Sequence, residues 1–190
     1  MKTNVAVFYG CRSVEHEVSI ISAVQAMRAI NRDKYDVTPV YVTKNGEMYT
    51  GDSLLTIEEY RNLPELLKKS KKVYFVREGD NVLMRDIEKK PFKKEAATVI
   101  DVAFPVVHGT NCEDGTIQGF FEYLNLPYVG CDIISSAVGM DKAVFKDVLK
   151  NAGLPTLDCI TFRAREYVAE KEAICKKLQK KSASRLLLSL

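Results

Sequence analysis

Five consecutive residues near the start of the chain, Val5, Ala6, Val7, Phe8 and Tyr9, are apolar and rich in strand formers. A strand with one face in water alternates polar and apolar side chains. This run does not alternate, so it predicts a strand buried on both faces, as in a parallel sheet covered by helices. The run stops at Gly10, and Ser13 follows as a candidate helix N-cap. Val18, Ile21, Val24, Met27 and Ile30 then recur at three-residue spacing, which predicts one apolar helical face. Residues 36–43 (DVTPVYVT) read as a second strand, with Pro39 signalling an edge or irregular position. Strand, helix and strand with short connections make a βαβ unit, so the fold class expected is α/β with a mainly parallel sheet.

The middle of the chain is less regular. Residues 57–70 read as a helix interrupted near Pro64. Residues 72–76 and 81–85 read as a hairpin around Glu78, Gly79 and Asp80. Residues 99–107 (VIDVAFPVV) predict one buried strand, residues 115–124 a helix, and Tyr128-Val129 a brief strand after Pro127. Residues 141–151 predict a helix stopped by Gly153 and Pro155, followed by a strand over 158–162 and a helix over 166–179. A boundary is expected near Met140.

Composition narrows the function classes. With 46% hydrophobic and 28% charged residues, the 190-residue chain has the balance of a soluble globular protein, large enough for one domain and part of another. A net charge of +3 is too small to argue for nucleic acid, and lysine runs at 68–72, 89–94 and 176–181 read as solvated faces or loops. No stretch approaches the roughly 18 apolar residues of a membrane span, and no signal-peptide pattern precedes residue 5, so a cytoplasmic protein is expected. The five cysteines are widely spaced without a C-x-x-C pair, which makes reduced thiols the default.

Three segments carry chemistry. The loop Gly10-Cys11-Arg12-Ser13-Val14-Glu15-His16-Glu17 leaves the first strand where open α/β sheets hold ligands. It is neither G-x-G-x-x-G nor a P-loop. Glu15 there either serves a ligand or complements the helix dipole. The segment from His108 to Gly119 places a histidine, Glu113, Asp114, Gly115 and Gln118 on a second strand-to-helix loop. Its alternatives are a ligand site or a structural loop whose Asp114 caps the next helix. His108 and Cys112 alone do not make a metal site or a nucleophile pair, because no third group is evident. Lys142, near the expected boundary, suits a phosphate or simply a solvated helix.

Together these segments resemble the D-alanine–D-alanine ligase family. The family's opening pattern, Gly-Gly-x-Ser-x-Glu-His/Arg-Glu-Val-Ser, is matched from Gly10 to Ser19, and its signature His-Gly-x-x-Gly-Glu-Asp-Gly-x-x-Gln-Gly from His108 to Gly119. Pro127-Tyr128-Val129-Gly130 and Ser136 through Lys142 also read as in the family, and the similarity runs from about residue 5 to about 180. Cys11 and Cys112 each stand where the family usually has glycine, which predicts strain at Cys112 if it takes positive φ.

The resemblance implies a Rossmann-like (pre-ATP-grasp) domain over 1–140, the start of an ATP-grasp central domain over 141–181, and an aberrant tail over 182–190. It implies that ATP phosphorylates the carboxylate of one D-alanine and that a second D-alanine's amine attacks the acyl phosphate, for peptidoglycan precursor synthesis. Glu15 and His108 are implied as catalytic and substrate-binding residues with Ser19 beside them, Glu113, Asp114 and Gly115 as loop-structuring residues, and Lys142 as an ATP-phosphate contact. Mg²⁺, or Mn²⁺ in its place, is implied with ligands outside this chain. The partners implied are D-alanine and ATP, with no nucleic acid or membrane and with a homodimer as the assembly allowed. The family continues after residue 181 with a Lys-Pro pair, a Gly-Ser-Ser phosphate loop and metal ligands that this sequence lacks. The chain is therefore expected to be an inactive fragment, with a frameshift or early stop as the simplest origin. D-alanine–D-serine and D-alanine–D-lactate ligases, and a non-catalytic binding module, are the alternatives.

Overall fold

The computed structural model of the protein describes residues 2–87 and 97–181. The lysine run at 89–94 and the tail 182–190 lie outside the described residues. The chain divides into two compact units, Met1–Met140 and Asp141–Leu190.

The first unit is built on a seven-stranded sheet. Strand β1 (Thr3–Gly10) lies between β2 (Tyr35–Val42) and β7 (Val102–Pro105) and is parallel to both. The brief strand after Pro127 is a parallel bridge from Tyr128 to Ala103. Beyond β2 the sheet continues antiparallel through β3 (Met48–Thr50), the hairpin β4 (Lys71–Glu78) and β5 (Asn81–Asp86), and β6 (Ala97–Ile100). Across its whole width the sheet is therefore mixed. The parallel arrangement describes the half around β1, where a helical crossover joins β1 to β2. In the other half, short turns join β2 to β3 and β4 to β5, and a turn that short permits only antiparallel neighbours.

The run 99–107 is not one strand. It splits at Asp101 into β6 and β7, which sit at opposite ends of the strand order. One residue joins them, so the two edges of the sheet must meet. Asp101 makes the join: its carboxylate accepts the Asn4 N–H (2.7 Å) and its own N–H donates to the Asn4 carbonyl (3.0 Å). The sheet thus curls round an inner core. Ala6, Phe8, Val40, Val42, Phe75, Met84 and Ala103 point into it, together with Ile117, Phe121 and Leu124 of a helix, α3 (Thr116–Leu124). Phe8 is its centre, with ring centroids 5.0 Å from Phe75 and 4.9 Å from Phe121. The alternate residues of β1, Val5, Val7 and Tyr9, face a second core. This explains why the first five-residue run is apolar throughout.

Helix α1 (His16–Ala29) covers that second core with His16, Ser19, Ile20, Ala23, Val24 and Met27. The three-residue spacing read from the sequence holds for Val24, Met27 and Ile30, which meet this core, and fails for Val18 and Ile21, which are 53% and 49% exposed. Each three-residue step falls about 60° short of a full turn, so a strict three-spacing drifts off any single face. Mixed steps of three and four hold the buried stripe in place. Ser13 is not the N-cap either; Glu15 occupies that position without a side-chain cap. Pro39 sits inside β2 although β2 is an interior strand. Its carbonyl accepts from the Thr50 hydroxyl (2.8 Å), so its nitrogen faces the same side. There β3 reaches only Tyr41 and Val42, and the absent N–H breaks no ladder bond.

Pro64 begins a helix rather than interrupting one. A 3₁₀ segment (Ile57–Asn62) leads into α2 (Leu63–Lys69), with Pro64 in its first turn and the Asn62 side chain capping Glu65 N. Helix α4 (Ile133–Met140) ends the first unit.

In the second unit, α5 (Lys142–Asn151) is capped by Asp141, which accepts from Ala143 N (2.9 Å) and Val144 N (3.1 Å). Gly153, at φ +74°, closes it through the Leu154 N–H to Leu149 carbonyl bond (3.0 Å). The strand expected over 158–162 does not form. No strand exists among the described residues of this unit, and a strand without a partner leaves its backbone groups unpaired. Helix α6 (Ala164–Lys181) is bent at Glu170, whose φ of −128° is not helical.

Replacing Phe121 by Ala removes a fully buried ring from the inner core. The substitution is expected to cost about 3–5 kcal/mol of unfolding free energy, measured by urea titration. A loss under ~1 kcal/mol would show that the curled sheet does not depend on α3.

Candidate ligand site at the ends of β1 and β7

Because β1 and β7 are parallel neighbours, the loops that follow them leave the same end of the sheet. Several bonds tie the two loops together. Ser19 lies fully buried on the first turns of α1. Its hydroxyl accepts from Gly10 N (2.8 Å) and donates to the Val106 carbonyl (2.6 Å), joining the end of β1 to the chain after β7. Ser19 is therefore not placed to touch a substrate; its hydrogen bonds go to the two backbones. Ser13 donates to the His108 carbonyl (2.6 Å) and accepts from Glu15 N (3.1 Å). Arg12 donates to the Asn111 side chain (3.2 Å), which in turn donates to the Arg12 carbonyl (3.0 Å). Gly109 passes so close that a Cβ there would lie 2.7 Å from the Ser13 Oγ, and its φ is +78°.

His16 shapes the first loop from beneath. It is buried, and its Nδ1 lies 2.6 Å from the Cys11 carbonyl. A carbonyl only accepts, so Nδ1 carries a proton and donates, and Nε2 lies 2.9 Å from the Tyr41 hydroxyl. Burial pushes the Tyr41 phenol up to about 12, which keeps its hydroxyl protonated. Cys11 is held at φ 66°, a conformation that normally favours glycine. On the second loop the strain falls on Asn111 (φ 61°), not on Cys112. Asparagine tolerates this region better than most residues.

The outcome is a cluster of three. Glu15, His108 and Glu113 each present a ligand atom, and these atoms all lie within 4.8 Å of one another. His108 Nε2 also meets the Ser22 hydroxyl at 3.2 Å. Glu113 accepts from Gly109 N (2.7 Å), so its carboxylate both shapes the loop and faces Glu15. Asp114 accepts from Asn111 N (2.7 Å) and Thr116 N (3.1 Å), while Gly115 takes φ +93° with Ile133 packed where a Cβ would sit. Lys142 is exposed at the first position of α5 in the second unit. The sequence did not single out Ser13 as a bridge, Ser22 or His16. Polar residues at 16, 19 and 22, along the side of α1 facing the loops, were the available signal.

Two anionic groups beside an imidazole make a site for a cation. They suit an ammonium, which donates hydrogen bonds to several acceptors at once. They fit Mg²⁺ poorly, since that ion takes an octahedral set of oxygens.

Burial pushes the Asp114 carboxyl up, but hydrogen bonds from the Thr116 side chain and the Asn111 and Thr116 amides outweigh it and hold the group below its ordinary 3.8. A depressed carboxylate stabilises the fold above its unfolded pKa, and that contribution is lost as pH falls through the folded value. Amide protection at Asn111 and Thr116, measured as exchange relative to the unprotected rate at each pH, is therefore expected to fall on acidification below about pH 4. In Asp114→Asn these amides exchange faster at neutral pH and lose that acid dependence. An unchanged acid profile in the variant would remove Asp114 as the group responsible.

Comparison with known proteins accords with this geometry. Residues 4–131 match the family described as D-ala D-ala ligase N-terminus. A D-alanine--D-alanine ligase from Thermosipho melanesiensis is 43% identical over 155 residues, covering 82% of this chain and 41% of that protein. One from Geobacillus thermodenitrificans is 38% identical over 184 residues, covering 94% and 48%. The solved D-alanine-D-alanine ligase from Coxiella burnetii superposes with a TM-score of 0.76 at 32% identity, over 95% of this chain and 49% of its own. The VanG D-Ala:D-Ser ligase from Enterococcus faecalis does so at 0.69 and 32%, over 95% and 49%. The chain thus spans about half the length of the relatives it matches. Over the strands and both loops that assemble Glu15, His108 and Glu113, it belongs to the D-alanine–D-alanine ligase family of ATP-dependent ligases.

Proposed function

We propose that this chain supplies the first-substrate half of an enzyme that joins two D-alanines at the expense of ATP. The observation that carries the reading is the Glu15–His108–Glu113 cluster, whose ligand atoms lie within 4.8 Å. Glu15 receives the ammonium of the first D-alanine. Glu113 lies within reach of the same charge, and His108 flanks the amino acid. Fixing the ammonium orients the carboxylate for phosphorylation, and the acyl phosphate then offers a good leaving group to the second amine. Units 1–140 and 141–181 serve as the N-terminal ligase domain and the start of the ATP-grasp region, with Lys142 directed to ATP phosphates. Mg²⁺, when bound, offsets phosphate charge; the carboxylate–imidazole set of this chain does not suit it. Peptidoglycan precursor synthesis in the cytoplasm is the setting that this activity serves. No helix among the described residues is long and apolar enough to cross a membrane.

A sister reading, D-alanine–D-serine ligase, is favoured by the VanG enzyme, which is 32% identical over 95% of this chain. The first-substrate site described above serves either chemistry, and D-lactate as second substrate stands on the same footing.

Titration with D-alanine is expected to shift the His108 ring resonances, and Glu15→Gln is expected to weaken that binding by about 10-fold or more, the cost of losing one charged hydrogen bond. D-lactate, which lacks the ammonium, is expected to leave the resonances unmoved. Shifts of equal size in wild type and Glu15→Gln would place the ammonium elsewhere.

The chain alone is expected not to turn over. Phosphoryl transfer needs several donors around the phosphates in a water-poor site, and of the residues assigned here only Lys142 serves that task. D-alanine-dependent phosphate release from ATP well above a Glu15→Gln control would overturn this expectation.

A further inference from the structure

Cys11 and Cys112 come from different loops, yet both are buried in the same inner core, at 6% and 0% exposure. Each thiol is the leading electrostatic influence on the other. The residues next to them, Arg12 and Asn111, are clasped by two hydrogen bonds of 3.2 and 3.0 Å. The backbones on both sides of the pair are therefore held together before any covalent bond forms. Cys11 is further fixed by its N–H to Val42 (2.7 Å) and by His16 on its carbonyl. The remaining cysteines lie elsewhere: Cys131 is exposed, and Cys159 and Cys175 belong to the second unit.

We propose that Cys11 and Cys112 form a modification site, a dithiol that a small hydroperoxide converts to a disulfide across the two ligand-site loops. The Cys11 side chain pulls the Cys112 thiol below its ordinary range, while Cys112 and burial push Cys11 up. Cys112 is therefore the first nucleophile. Its thiolate attacks one oxygen of hydrogen peroxide, the O–O bond breaks, and the leaving hydroxide takes a proton to become water. Cys112 is now a sulfenic acid. Cys11 gives up its proton, its sulfur attacks the Cys112 sulfur, and the S–O bond breaks to release a second water. Two thiols are oxidised and one peroxide is reduced. Hydrogen peroxide is small and uncharged, which suits a pair with so little exposed surface. The new bond ties the turn before Glu113 to the turn before Glu15. It turns two loops joined by hydrogen bonds into one covalent frame and removes loop freedom from the unfolded chain.

The test uses the full chain with Cys131→Ser, Cys159→Ser and Cys175→Ser, which leaves the pair untouched. The folded, reduced protein is treated with hydrogen peroxide, its remaining thiols are capped with N-ethylmaleimide in denaturant, and it is digested without reductant. Mass spectrometry is expected to find the Cys11 and Cys112 peptides linked, with a Tm several degrees above the reduced form that dithiothreitol reverses. In Cys11→Ser, dimedone added in denaturant after the peroxide step is expected to label Cys112; in Cys112→Ser, Cys11 stays unlabelled under the same treatment. Both cysteines recovered as free capped thiols, at a peroxide dose that oxidises glutathione, would overturn the proposal. So would a link that forms only in urea. The readout is the thiols' own mass, so failure here leaves the Glu15 assignment untouched.

Discussion

Two strands that run parallel and adjacent deliver their following loops to the same place. In this chain β1 and β7 are such a pair, and the register from Val5–Val102 to Phe8–Pro105 sets how far each loop must travel before they meet. A single buried hydroxyl then completes the junction. Ser19 takes the Gly10 N–H and gives its own proton to Val106. In an interior that punishes unpaired polar groups, losing that hydroxyl would orphan a donor on one strand and an acceptor on the other. The ligand cluster, the cysteine pair and the left-handed turns at Cys11 and Asn111 all lie beyond this junction.

The same logic separates groups committed to the loops from groups left toward solvent. Ser13, Ser19 and Asp114 bond to loop backbones, and His16 bonds to one loop carbonyl and to Tyr41. Glu15 and Glu113 are exposed, and His108 is half-buried. Charged groups kept near water and brought within 4.8 Å of each other repel when empty and gain when a cation arrives between them. A rigid frame that holds like charges together is a way of storing selectivity for an ammonium.

Much of the first unit was legible because its signals are local. The uninterrupted run at β1, the hairpin around Gly79 and the helix after Gly115 are spelled by neighbours in sequence. The errors share one cause. Asp101 sits within an apolar run that looks continuous, and only the meeting of two sheet edges reveals it as a corner. Val18 and Ile21 are apolar yet half exposed, because burial depends on which side of α1 meets the sheet. Ser19 matched a family pattern and read as a substrate residue, whereas burial assigns it to the frame. Residues 158–162 have strand-like composition and no strand to pair with among the described residues of their unit.

By itself, the sequence determined the βαβ start, the two glycine-bearing loops at strand ends and the family, and it marked Glu15 and His108 as candidates on those loops. Each depends on residue type and short spacing, which are properties of the chain before it folds. Only the tertiary structure decided that Glu113 joins those two residues, that Ser19 and His16 serve the backbone, and that Cys11 meets Cys112. Those outcomes depend on distances between segments some hundred residues apart in sequence, from residues 11–19 to residues 106–113. Such distances are set by sheet register and curl, for which no local pattern in the chain is a measure.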